Sequence, residues 1–552
     1  MSLINPLFRV PVLILAAALA FAPVAAQTAP EPAQGSARLW PGMGEVNHPI
    51  STKNAEAQKY FNQGLAFVYG FNHEEAVRSF QRAAELDPKM AMAYWGVALA
   101  VGPNYNLPID EEREKQAYAA IQKAIHLSAA GPAIERDYIQ ALARRYTNQS
   151  GADYKKLDAD YNAAMRELSR GYPDDLDAAT LYAESGMNLR PWKLWEPDGT
   201  PAPGTLEIVR TLESVLKRDP NHLGANHYYI HALEASRHPE WAQASAQRLA
   251  NLAPSAGHLV HMPAHIHIRT GDHAAAEHTN QLAASADEQY LKASGAQGTY
   301  PMMYYTHNLH FIATSNAMMG NYNGAVEGAR RIEAYVKPHL QHMPMLDNFN
   351  SMPTLVLVRF RKWDDILRLP KPDSALPLST GIWHYARGLA FAARGEIAEA
   401  SAELQALRAL ELQIAKVPTG APGPGNAEQI PRIAAHLIEA RIATAQRNNA
   451  AAVDHLREAV ALEDQMDYTE PPDWFYPTRE TLGGVLLMNG NAVGAEKVFR
   501  DDLERNPRNG RSLFGLMESL KAQGKNESAA FIQQQFENAW KHADTKLNVS
   551  DL

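Results

Sequence analysis

Residues 55–88 read AEAQKYFNQGLAFVYGFNHEEAVRSFQRAAELDP, and this stretch decides the fold. Its apolar residues recur at helical spacing in two blocks, so it reads as two amphipathic helices joined by a turn. Gly64 marks a close helix–helix approach, Ala76 and Ala83 sit at the inner crossing, and Pro88 ends the unit. No segment of the chain offers a convincing alternating pattern for a strand.

This 34-residue pattern resembles the tetratricopeptide repeat, a helix–turn–helix unit. Further units carry it. Pro220 and Pro254 are 34 apart, and the unit from Leu223 ends in RLANLAP. The unit from Gly257 has Gly271-Asp272 and Ala276, and that from Thr306 has Gly320-Asn321-Tyr322 and Ala325. Gly381 onward shows Gly388, Gly395 and Ala400, and Tyr476–Pro507 shows Gly483, Gly490, Ala495 and Phe499. The last, Asn509–Trp540, has Gly524 and Ala529. The expected fold is therefore all-α: a tetratricopeptide-repeat superhelical solenoid with inserted loops. Each helix pair cannot bury its apolar face alone, so neighbours stack into a continuous core with a concave groove.

The chain has 552 residues, a net charge of −9 and no cysteine. Without cysteine there is no disulfide scaffold, thiolate metal site, iron–sulfur cluster or cysteine nucleophile. A slightly acidic composition with no long basic run argues against a nucleic-acid partner. Residues 1–26 have one positive charge at Arg9, an apolar run and Val24-Ala25-Ala26, the pattern of a cleaved secretory signal. The expectation is an exported protein, periplasmic or secreted, with no membrane attachment after cleavage. Residues 27–55 read as an extended arm. Residues 56–203 follow as N-terminal repeats, 204–336 as central His-rich repeats, and 337–545 as C-terminal repeats. Insertions fall at 102–114, 189–203, 291–305 and 337–378, and residues 418–426 (PTGAPGPGN) read as a loop. The insertions are rich in aromatic and Met residues, among them Trp192, Trp195, Met302, Met303, Met343 and Met345.

Of 21 histidines, 12 lie between His222 and His310, where even scattering would place roughly 3. His227 and His261 are 34 apart, as are His231 and His265, so two consecutive repeats place imidazole at equal phase. Each pair is spaced i,i+4 and projects from one helix face. Glu234, His258, His307 and His310 fall on the same stripe. In the tetratricopeptide family these positions line the concave surface. The resemblance therefore implies that His227, His231, Glu234, His258, His261, His265, His307 and His310 face one groove. Packed helices lie about 8–10 Å apart, close enough to share an ion. Pro263, inside GHLVHMPAHIHIR (257–269), should interrupt its helix between two of these residues. The alternative is a helix that begins near Met262.

Neutral imidazole is a common ligand of Zn, Cu, Fe and Ni. The seven stripe histidines are thus candidate ligands for a transition metal, copper ahead of zinc or iron. Glu234 is a candidate ligand, outer partner or base, and Glu184 a candidate base. The expected function is a metal-dependent enzyme, an oxidoreductase with copper or a hydrolase with zinc, acting on an unidentified substrate in the groove. The alternatives are a scaffold that binds a peptide there without catalysis, or a passive metal carrier. Tyr304, Tyr305, Trp474, Phe475 and Tyr476 read as a substrate wall or as repeat-junction packing, with packing the commoner role. His48 is read as a solvated turn residue, His384 as packing, and His339 and His342 as belonging to a loop that caps the site. The segments NHPISTKNAEAQKYFNQGL, ANHYYIHALEAS and GHLVHMPAHIHIRTGD resemble a group of bacterial exported tetratricopeptide proteins. That resemblance implies fold and export and names no reaction.

Overall fold

The computed structural model describes residues 37–417 and 426–552. The signal expected at 1–26, the first part of the arm, and most of the loop expected at 418–426 lie outside the described residues. Among the described residues the architecture is all-α, with two isolated bridges, Asn104–Leu107 and Trp195–Pro201, as the sole extended pairings. No described helix is long and apolar enough to cross a membrane.

Consecutive helices pack in antiparallel pairs along the chain, as the 34-residue period requires. The first pair is Ala55–Tyr69 and His73–Leu86. Asn54 caps its start by accepting from the Glu56 and Ala57 amides. A Cβ on Gly64 would lie 2.7 Å from the Phe80 ring, and one on Gly96 would lie 2.3 Å from it. Phe80 is thus clasped between two helices that approach because both lack a side chain there. Gly483, Phe499 and Gly515 repeat the device at the same spacing of 16 residues near the C-terminus.

The turns repeat as well. A residue with positive φ precedes an Asn or Asp cap at Gly271-Asp272, Gly320-Asn321 and Gly490-Asn491. In the first unit that left-handed position is taken by Phe71, at φ 55°, before the Asn72 cap. A non-glycine residue there is strained.

Pro263 does break its helix, giving Gly257–His261 and Pro263–Arg269. His258 already lies within the first piece, so the helix does not begin at Met262. The 337–378 insertion is itself largely helical and contains a short pair, Met352–Arg359 and Trp363–Arg368.

Contacts far apart in sequence close the inner face. Tyr290 donates to Glu75 (3.0 Å), and the Thr299 amide donates to Glu74 (3.3 Å). Lys193 pairs with Asp467 at 2.9 Å, and the Arg269 guanidinium lies 5.5 Å from the Tyr468 ring. The turn at Gly271 packs on the Pro507 carbonyl. The 189–203 insertion and residues 464–477 therefore meet each other and the central repeats.

Candidate metal centre

Four short helical segments deliver the histidines. Leu223–Leu233 carries His227 and His231, Gly257–His261 carries His258 and His261, Pro263–Arg269 carries His265, and Thr306–Met318 carries His307 and His310. Six of them assemble into two triads. In the first, the ring of His227 lies 4.8 Å from His231 and 4.9 Å from His258. In the second, the ring of His261 lies 4.7 Å from His265 and 4.8 Å from His307. Within each triad one nitrogen per ring lies within 4.8 Å of the others. The triads adjoin, with His231 and His265 5.7 Å apart and His258 and His261 5.9 Å apart. His227 and His261 are wholly buried, His231, His258 and His265 nearly so, and His307 is half-buried.

The outer nitrogens of three rings are tied down by acceptors, while His258 Nδ1 is buried with no hydrogen-bond partner. His227 Nδ1 donates to the Tyr69 carbonyl (2.6 Å), which can only accept, so Nε2 presents its lone pair. His261 Nδ1 lies 2.7 Å from Asn280 Oδ1, and the Asn280 amide nitrogen donates to the Ala276 carbonyl, which fixes the amide's orientation. His231 Nδ1 donates to Glu234 Oε1 (3.0 Å), and its Nε2 is buried without a partner. Orienting a ligand imidazole through its second nitrogen is the usual outer support of a metal site. The freed nitrogens converge: His227 Nε2 and His258 Nε2 are 3.1 Å apart, and His261 Nε2 and His265 Nε2 are 2.7 Å apart. At these separations two lone pairs repel unless a proton or a cation lies between them.

Electrostatics sharpen this. Burial, reinforced by neighbouring imidazoles, holds His227, His258, His261 and His307 well below the ordinary imidazole range, so all four are neutral at pH 7. His265 is the exception. Burial pushes it down, but the Glu234 and Glu470 carboxylates outweigh burial and raise it. Its Nδ1 lies 2.7 Å from Glu234 Oε2 and 2.7 Å from Glu470 Oε2, with neither oxygen along its N–H direction. Glu234 is held down by His231 and His265 against the pull of burial, and it links the two triads through its two oxygens. Burial raises Glu470, partly offset by His265.

The centre opens onto a cavity of about 490 Å³. His231, His258, His265, His307 and Glu470 line one side, with Phe71, Trp192, Tyr300, Tyr304 and Phe349 around it. Met303 and Tyr304 arrive on a π-helical turn, Pro301–Tyr305, inside the 291–305 insertion. That volume suits a small molecule.

The remaining candidates fall elsewhere. His310 stands apart from both triads, on the cavity wall with its ring 5.6 Å from Phe349, and burial lowers it to about 4. Glu184 is buried with Oε1 accepting from Asn188 (2.6 Å), and it takes no part in the cavity lining. His48 is no solvated turn residue: its buried ring meets Tyr138, and its Nδ1 lies 2.8 Å from Asp177. Asp177 also meets His222 (3.2 Å) and the Tyr69 hydroxyl, whose residue holds His227 from behind. His384 pairs with Glu403, and Trp474 and Phe475 are core residues, as packing roles require. His339 and His342 are not in the cavity lining.

Two residues of the centre escape the repeat pattern. Phe71 lays its ring against His227, His231 and His258, at 4.5, 5.6 and 5.5 Å between centroids. Its signal was an aromatic at the turn position where other units have glycine or arginine. Glu470 comes from a non-helical stretch, TEPPD, 205 residues beyond His265, and no periodicity connects them.

No protein-family model and no curated protein matches this chain. Several remote solved structures are similar to it. They include a human IFIT1 dimer with m7Gppp-AAAA (15% identity, 90% of this chain and 92% of that one, TM-score 0.33). Yeast Tom70 is similar at 13% identity over 88% of this chain and 97% of that one, with a TM-score of 0.30. The APC/C hetero-tetramer Cut9–Hcn1 is similar at 13% identity over 91% and 79%, with a TM-score of 0.29.

Proposed function

We propose that this chain is an exported metal-dependent enzyme whose two His triads each hold a transition-metal ion beside a small-molecule cavity. The observation that carries the reading is the convergence of imidazole nitrogens in two triads, in which His227, His231 and His261 have their outer nitrogens committed to acceptors. His227, His231 and His258 would hold one ion, and His261, His265 and His307 the other. Glu234 is an orienting carboxylate, with Oε1 accepting from His231 and Oε2 2.7 Å from His265 Nδ1.

An all-imidazole donor set suits copper ahead of zinc or iron, and copper supplies one-electron redox chemistry with dioxygen when bound. The chain's own part is to orient six rings, exclude water through Phe71, Trp192 and Tyr304, and admit a small substrate. The cavity favours an enzyme over a passive carrier, since storage needs no room beside the ion. The groove's imidazole lining favours it over a peptide scaffold, whose grooves use mixed Asn, Lys and Arg.

The test is elemental analysis of untagged protein expressed under varied metal supply, beside a His227→Ala/His261→Ala variant. About two equivalents more of one metal in the wild type than in the variant are expected. Equal metal content in wild type and variant under every supply refutes the reading. Oxygen uptake against phenols, amines and thiols then separates an oxidase from a carrier.

A further inference from the structure

A second, partly exposed cluster lies outside the centre, on a C-terminal helix pair. Helix Gln429–Ala445 carries His436 and Glu439, three residues apart, and its partner Asn449–Glu463 carries His455. The pair is joined at Arg447, which holds φ 61°, and is closed by the Asn448 cap, so the two helices face each other in fixed register. All three side chains are partly exposed.

Three donor atoms form an equilateral triangle. His436 Nδ1 and His455 Nδ1 are 3.3 Å apart, and Glu439 Oε2 is 3.3 Å from each. Hydrogen-bonded imidazole and carboxylate prefer about 2.7–2.9 Å, so the triangle is too wide for a tight hydrogen-bonded set. It matches a metal site instead. Zinc bonds nitrogen and carboxylate oxygen at about 2.0–2.1 Å in a tetrahedron, which places neighbouring ligand atoms roughly 3.3 Å apart. The carboxylate is also prepared for the role. Its Oε1 is taken by Arg408, from the preceding pair, and its Oε2 is buried with no hydrogen-bond partner. An arginine that fixes one oxygen while the other points at two imidazoles is an outer-sphere support of the kind metal ligands receive.

We propose that His436, Glu439 and His455 bind one divalent transition-metal cation of the zinc class, independently of the buried centre. Three protein ligands at a partly exposed site leave the fourth position to water or another small ligand. The ion pins the two helices of this repeat together. The carboxylate distinguishes this site from the all-imidazole triads, and it favours zinc over copper here.

The test is isothermal titration of the full-length, untagged, metal-stripped protein with Zn²⁺, for wild type and for His455→Ala. The wild type is expected to take up one equivalent more than the variant, and its zinc-induced rise in unfolding midpoint should shrink in the variant. His436→Gln, which keeps a polar side chain on the helix, should reproduce the loss. Far-UV circular dichroism of the stripped proteins should be the same for all three. Equal zinc uptake by wild type and both variants overturns the proposal, and so does a wild type that takes up no zinc. A variant whose stripped midpoint falls while its zinc uptake is unchanged also overturns it, because the cluster would then be a hydrogen-bonded brace.

Discussion

Replacing Phe71 tests the link between the repeat turn and the metal centre. The side chain is 2% exposed, so truncating it removes a buried aromatic and should cost about 3–5 kcal/mol. The lower end applies, because the ring lines an existing cavity and is not packed on every side. The backbone adds a second, separable effect. At φ 55° a residue with a Cβ carries roughly 1–2 kcal/mol of strain, and glycine carries almost none. Glycine's greater freedom in the unfolded chain returns about 0.4–1 kcal/mol of that advantage. Phe71→Gly should therefore be more stable than Phe71→Ala by roughly 1 kcal/mol, the reverse of the order inside a helix. Differential scanning calorimetry of both stripped variants at one scan rate reads that order. With the ring gone from three imidazoles, both variants should also lose metal to a chelator faster than wild type. An alanine variant at least as stable as the glycine variant would refute the strain argument. Unchanged metal release in both would refute the role of Phe71 as a wall of the centre.

Glu470→Gln removes a carboxylate that bears on His265 and should weaken metal binding by about 10–100-fold, read by competition with a chelator. Unaltered affinity would show that Glu234 alone orients that ring. Gly64→Ala and Gly483→Ala would each drive a Cβ to 2.7 and 2.5 Å from the Phe80 and Phe499 rings. Each should lower the unfolding midpoint, by an overpacking cost of about 1–3 kcal/mol, and a midpoint equal to wild type would mean that the helices can simply part. Burial, aided by Glu480, raises the Asp502 carboxyl to about 6, so the folded state holds a proton that the unfolded chain has lost near pH 4. Stability relative to Asp502→Asn should then fall as pH rises from about 4 to 6, by up to about 3 kcal/mol. A difference that stays flat over that window contradicts this.

The parts of the centre visible in the sequence are those that obey the period. His227 with His231, and His261 with His265, stand at equal phase because each repeat copies the last. Helical geometry then places them on one face, and Pro263 announces a break that is present. The parts that were not legible arrive from outside the repeat. Glu470 lies in an irregular loop whose position depends on how the C-terminal repeats fold back. His48 belongs to an arm with no period, so nothing in its local sequence pairs it with Asp177. His310 shares the stripe and the spacing of His307, yet one helical turn carries it past the convergence point to Phe349.

Local sequence thus determined the helices, their caps, the glycine–phenylalanine clasps and the inward stripe of imidazoles. Each of these depends on neighbours within about one repeat, a distance over which spacing dictates geometry. The tertiary structure decided that the stripe divides into two triads, that Glu234 links them, and that loops and a distant carboxylate enclose them beside a cavity. Those outcomes depend on closure between segments up to about 200 residues apart, where no periodicity constrains the chain and packing alone selects the partner.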